Sequence, residues 1–211
     1  MNNFDRVLLI QRKEYEQLCL LIGKRRALFV PHPASLSRCE IRPQASSIGF
    51  VASPYAPNLD AIKWFIENVW TTSSWVGLSL DVFGSICMKL KVAEGSKVRL
   101  RGFVDNLDDI YREIDIVISP VRFGAGLKIK NVEALAHGLP LITTSHGAEG
   151  MQDGAGTAFL VADTPQDFVK QIDWLIASQE TRQALGEQVY AYAEANFSED
   201  QCFQELMAEL A

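Results

Sequence analysis

The stretch from Ser119 to Pro140 constrains the fold more than any other. An apolar run, Ile114 to Ser119, reads as a buried strand and leads into Pro120 and a glycine pair, Gly124 and Gly126. The chain then follows an amphipathic helical pattern. Gly138 ends it, and Leu139-Pro140 opens a second apolar run, Leu141 to Thr144. Strand, glycine loop, helix and strand form a unit of an open α/β sheet, in which ligands bind at the carboxyl ends of the strands.

The loop has specific chemistry. Without a Cβ, Gly124 and Gly126 let backbone approach a ligand closely. The first helical amides, placed by the sequence around Leu127, Lys128 and Ile129, have no intrahelical acceptor. Together with the positive end of the helix dipole they make an anion site suited to phosphate. Lys128 and Lys130 add positive charge. Glu133 lies seven residues after Gly126, about 10 Å along a helix, and helical side chains lean toward the N-terminus. A carboxylate at that range from a phosphate suits a ribose diol. The same spacing also fits an ordinary βα turn with a solvated Lys-Glu pair, and spacing alone leaves both readings open.

The segment Pro120 to Gly150 carries Gly-Ala-Gly-Leu-Lys-Ile-Lys, Glu133-Ala134-Leu135-Ala136, Gly138-Leu139-Pro140 and Gly147-Ala148-Glu149-Gly150. It closely resembles the retaining glycosyltransferases of family four (glycosyl transferases group 1), which have the two-domain GT-B fold. Phe50-Val51-Ala52-Ser53, Pro57-Asn58-Leu59-Asp60-Ala61 and Gly102-Phe103-Val104-Asp105-Asn106-Leu107 extend the resemblance, which is good from Ile48 to about Ala162.

The resemblance implies the C-terminal, donor-binding domain of such an enzyme, with a Rossmann-like parallel sheet and helices on both faces. It implies transfer of a hexose-type sugar from a nucleotide-diphosphate donor of UDP or GDP type to an unknown sugar or lipid-linked acceptor. No cofactor or metal is implied. Glu133 would hold ribose, and the Gly126 to Ile129 amides the diphosphate. Lys128, Lys130 and Arg122 would supply charge, and Gly102, Phe103 and Val104 would lie near the base. Ser53 belongs to the first loop, beside the diphosphate.

Two departures stand out. The first loop has Ala52 where glycine is common, and no Arg or Lys between Ala52 and Asp60. An acidic residue frequent eight positions before Glu133 is Ala125 here, which leaves the donor sugar open. A nucleotide-sugar epimerase and a non-catalytic nucleotide-sugar-binding module are the alternative readings.

The rest of the chain sets bounds. Its 211 residues suffice for one good core with an appendage. A net charge of −6 without a dense basic stripe argues against a nucleic-acid partner. Cys19, Cys39, Cys87 and Cys202 lack metal-type spacing and suit reduced thiols in a cytoplasmic protein, compatible with a peripheral place at the inner membrane face. Residues 1–45 read as a βαβ-like remnant of the N-terminal, acceptor-side domain plus linker, and 46–211 as the nucleotide-sugar-binding domain with C-terminal helices. On that reading the chain is half an enzyme, whose missing half or another chain would be a partner.

Further strands are expected at Ile48 to Ala52, Val76 to Gly84, Val98 to Leu100 and Thr157 to Val161. Leu59 to Val69 and Ile86 to Val92 read as helices, and Asp105 as the N-cap of a helix through Tyr111. Thr164-Pro165 opens another helix with proline in its first turn.

Overall fold

The computed structural model describes residues 6–210. Residues 1–5 of the expected N-terminal remnant lie outside the described residues. Strand β1 (Val7–Leu9), helix α1 (Arg12–Ile22) and strand β2 (Ala27–Phe29) form a βαβ unit with its two strands parallel. The segment 30–46 that follows has no regular structure, but it is pinned to the main body. The amides of Ala34, Ser37 and Cys39 donate to the carbonyls of Phe197, Ala136 and His137.

The main body holds β3 (Ser47–Val51), α2 (Ala56–Phe65), β4 (Ser79–Phe83), β5 (Val98–Gly102), α3 (Leu107–Arg112) and β6 (Ile116–Ser119). These are followed by α4 (Ile129–Ala136), β7 (Leu141–Thr143), β8 (Leu160–Val161), α5 (Pro165–Ala177), α6 (Gln179–Phe197) and α7 (Glu199–Leu210). The six strands β3 to β8 form one parallel sheet in the order β5-β4-β3-β6-β7-β8. Ile48, Phe50, Leu80, Val82, Ile116, Ile118, Leu141 and Ile142 are all buried, as both faces of a helix-covered parallel sheet require. This is the doubly covered, Rossmann-like α/β architecture the sequence implies.

The strand order reverses between β3 and β6, since the chain builds outward to β5 and returns to lay β6 on the other side. Buried Asp115 fixes that join. Its carboxylate accepts from the amides of Ser46 (2.7 Å) and Ser47 (3.0 Å) and from Arg42 Nε (2.7 Å). On one face, Phe168 of α5 meets Phe65 of α2 edge-on at 5.6 Å.

Several boundaries differ from expectation. The strand expected from Val76 begins at Ser79, because Val76 is fully turned to solvent and Gly77 takes a positive φ of 83°. The helix expected over Ile86 to Val92 is a single tight turn, Ser85–Lys89. The last strand is only Leu160–Val161. The N-cap of α3 is Asn106, whose side chain accepts from the Asp108 amide at 3.0 Å, and not Asp105. Both residue types cap well, and the chain resolves the choice by one position.

Candidate functional site

The carboxyl ends of β3, β4, β5 and β6 open onto one cavity of about 540 Å³. It therefore lies over the point where the strand order reverses, the place where open α/β sheets form clefts. The loop after β3 contributes Ser53, Tyr55 and Asn58, and the loop after β5 contributes Phe103 and Val104. The loop after β6 and the start of α4 contribute Gly124, Leu127, Lys128, Ile129 and Lys130, with Glu133 one turn further on.

The α4 start is shifted by one or two residues from the sequence reading. Lys128 is the N-cap, and its carbonyl accepts from the amides of Asn131 (2.8 Å) and Val132 (3.4 Å). The amides at the helix mouth without intrahelical acceptors are thus those of Ile129 and Lys130. Gly124 reaches φ 109° with its Cα side against Pro57, where a Cβ would come within 3.1 Å, so the close packing of this loop on α2 depends on glycine.

The two lysines are held by the protein itself. Lys128 Nζ donates to the Gly126 carbonyl (2.5 Å) and stands 3.7 Å from Glu149. Burial lowers its pKa, while Glu149 acts in the opposite direction. Lys130 Nζ donates to Asn58 Oδ1 and lies 4.7 Å from the centre of the Phe50 ring. Burial, with a smaller contribution from Lys128, brings the Lys130 pKa down to about 7, while Glu133 opposes the shift. Asn58 Nδ2 in turn donates to the Ser53 carbonyl at 3.1 Å. Lys130 therefore places its amine, charged below about pH 7, against the first loop, whose own sequence lacks a cation.

Not all the expected residues gather here. Arg122 does not line the cavity. Its guanidinium grips Asp60 of α2 with contacts of 2.8 and 2.9 Å and stacks over Trp64 at 5.1 Å, so its charge is already used. Gly102 also lies outside the lining, with its carbonyl accepting from the Gly84 amide at 2.7 Å. Gly126 lies outside the lining too and turns the loop at φ 84°, and its neighbours Leu127 and Lys128 form part of the wall. Phe103 is 74% exposed at the rim and is no core aromatic.

Sequence reasoning missed Asn58 and Tyr111. Tyr111 is fully buried, and its hydroxyl donates to Glu133 Oε2 at 3.1 Å. Burial, reinforced by the neighbouring Glu133 charge, raises the Tyr111 pKa well above its ordinary value, so the hydroxyl stays a donor. Asn58 falls inside a motif noticed only for resemblance, and Tyr111 reads in sequence as a core aromatic near a helix end. Among the described residues, no group of three or more His, Cys, Asp or Glu is placed to hold a metal ion. Among them, no helix is long and apolar enough to cross a membrane.

A family model described as glycosyl transferases group 1 matches residues 45–178. An uncharacterized 44.6 kDa protein in the cps region of Klebsiella pneumoniae is 23% identical over 221 residues, covering 99% of this chain and 56% of that protein. The poly(glycerol-phosphate) alpha-glucosyltransferase of Bacillus subtilis is 29% identical over 213 residues, covering 92% of this chain and 31% of that enzyme. The chain thus spans between about a third and just over half the length of these relatives.

Among solved structures, a mutant of S. aureus TarM in complex with Fondaparinux, alpha-GlcNAc-glycerol and UDP superposes with a TM-score of 0.77 at 12% identity. The match covers 98% of this chain and 44% of that one. Anabaena HepE in complex with UDP and glucose gives a TM-score of 0.72 at 11% identity, over 98% of this chain and 62% of that one. At such identities the likeness is one of fold.

Proposed function

Since this chain belongs to the glycosyl transferases group 1 family, we propose that its cavity binds the nucleotide-diphosphate sugar donor of a retaining, metal-independent hexosyl transfer. The observation that carries this reading is the convergence of three features on one cavity: the mouth of α4, two lysines and a carboxylate one turn along the helix. Glu133 accepts from the ribose hydroxyls. The Ile129 and Lys130 amides face the diphosphate, and Lys130 and Lys128 neutralise it as it leaves. For Lys128 this requires exchanging the Gly126 carbonyl for a phosphate oxygen, a stronger, charge-assisted partner. The exposed Phe103 and the neighbouring Val104 line the same cavity and receive the base.

The acceptor, a sugar or a lipid-linked glycan, is engaged from outside this cavity, by the remainder of a two-domain enzyme or by a partner chain. The place of action we assign is the cytoplasm, at the inner face of a membrane where the acceptor is lipid-linked.

Calorimetric titration of the chain with UDP, GDP and ADP tests the reading and identifies the base. One of the three is expected to bind. A folded chain that binds none of them contradicts it.

The lysines add a pH signature. Lys130 has a pKa of about 7 in the free protein, and a bound diphosphate favours its charged form. Nucleotide affinity is therefore greatest below pH 7 and declines as pH rises above it, and binding at pH 8 takes up part of a proton. Titrations at pH 8 in buffers of different ionisation enthalpy are expected to show that uptake, and Lys130→Met to abolish it. Equal uptake in the variant would place the titrating group elsewhere.

A further inference from the structure

Behind Glu133 lies a buried array that the donor reading does not use. Tyr111 of α3 stacks on His137, the C-cap residue of α4, with ring centres 4.3 Å apart and planes inclined by 28°. His137 is 4% exposed. Its Nδ1 lies 2.7 Å from the Glu133 carbonyl, and its Nε2 lies 3.0 Å from Asp108 Oδ1. Asp108 also meets Arg112 at 3.3 Å, and its hydrogen bond to His137 is the leading cause of its lowered pKa.

The two ring nitrogens of His137 thus face one group on each helix, the Glu133 carbonyl of α4 and the Asp108 carboxylate of α3. Resting on the donor-site reading, we propose that His137 and Tyr111 are positioning residues for Glu133. His137 clamps α3 to α4 through Asp108 and presses the Tyr111 ring flat. The Tyr111 hydroxyl then holds one oxygen of the Glu133 carboxylate and aims the group at the ribose. The clamp fixes the carboxylate before the nucleotide arrives, which lowers the ordering cost of binding.

The other ionisable groups beside this array are Arg112 on α3, paired to Asp108 and Asp109, Glu133 itself, and Cys39 on the crossing segment, while Arg38 turns away to Glu187 and Tyr190 of α6. The Cys39 amide bonds the His137 carbonyl at 2.9 Å. Burial raises the Cys39 thiol pKa, so that group stays neutral.

Calorimetry reads the positioning role. Tyr111→Phe keeps the ring and the stack and removes the hydroxyl, and is titrated with UDP, GDP and ADP and with their 2′,3′-dideoxy counterparts. The variant is expected to lose about 3- to 10-fold in affinity for the ribonucleotide, the size of one ordinary hydrogen bond because the hydroxyl acts through Glu133, with little change for the dideoxy form. Equal loss for both forms would show a merely structural role and overturn the positioning claim. A wild-type chain that binds no nucleotide would remove the donor reading, whereas a wild-type chain that binds beside a Tyr111→Phe variant that loses both forms equally would remove the positioning role alone.

Discussion

Replacing Arg182 with Met is expected to lower the unfolding free energy by about 3 to 5 kcal/mol, the largest stability loss we expect from a substitution outside the cavity. Arg182 is 1% exposed, near the start of α6. One guanidinium nitrogen donates to the carbonyls of Leu175 (2.7 Å) and Ser178 (3.1 Å), at the end of α5 and the turn after it. The other donates to the carbonyls of Arg42 and Pro43, each at 2.9 Å, on the segment that crosses from the N-terminal unit. A single side chain thus satisfies last-turn carbonyls that α5 cannot satisfy itself and fastens the crossing segment to the helical layer. Methionine fills the space and takes the guanidinium away from the Leu175, Arg42 and Pro43 carbonyls, at about 1 to 3 kcal/mol for each one that water cannot reach, while the Ser178 carbonyl keeps the backbone amide of residue 182. At roughly 2 to 4 °C per kcal/mol for a chain of this size, the melting temperature falls by about 10 °C. Arg182→Lys recovers only part of this, because an ammonium lacks the planar fork. Calorimetric melting of the three proteins checks it, and a Met variant within about 1 °C of wild type would contradict it.

The second large effect concerns binding. Glu133→Ala is expected to weaken nucleoside-diphosphate affinity about 10- to 100-fold, the equivalent of one or two hydrogen bonds to a charged acceptor. The fold should be unaffected. Glu133 is half-buried, and of its bonded partners Tyr111 keeps a second acceptor in the Lys130 carbonyl at 3.3 Å. A variant that melts like wild type and binds like wild type would remove Glu133 from the ribose.

What the sequence made legible here follows from what is local. The run into β6, the glycine loop and the helix after it are all written within about thirty residues, and hydrophobic period plus glycine placement are enough to read them. The pattern also distinguishes the two lysines and Glu133 as residues on one helix and its approach. What stayed hidden is long-range pairing. Arg122 meets Asp60 across 62 positions, and Lys130 meets Asn58 across 72. A charge count places Arg122 in the phosphate site as readily as Lys130, since nothing nearby in sequence shows that Asp60 has claimed it.

Tyr111 and Glu133 are 22 positions apart and sit on different helices, so neither announces the other. Arg182 reads as an ordinary polar residue at a helix start, and only the fold brings residues 42 and 43 beneath it. The α3 cap shows the finer limit. Asp105 and Asn106 are chemically near-equivalent caps, and the local turn, not composition, chooses between them.

The donor-site account stands or falls on whether Glu133 reads the ribose diol. The direct measurement is a four-way calorimetric comparison of wild type and Glu133→Ala, each titrated with the preferred nucleoside diphosphate and with its 2′,3′-dideoxy analogue. If the carboxylate accepts from the diol, wild type prefers the ribonucleotide by about 10-fold or more, and the variant binds the two forms alike. Discrimination that survives unchanged in Glu133→Ala would put the ribose against some other group and contradict the account.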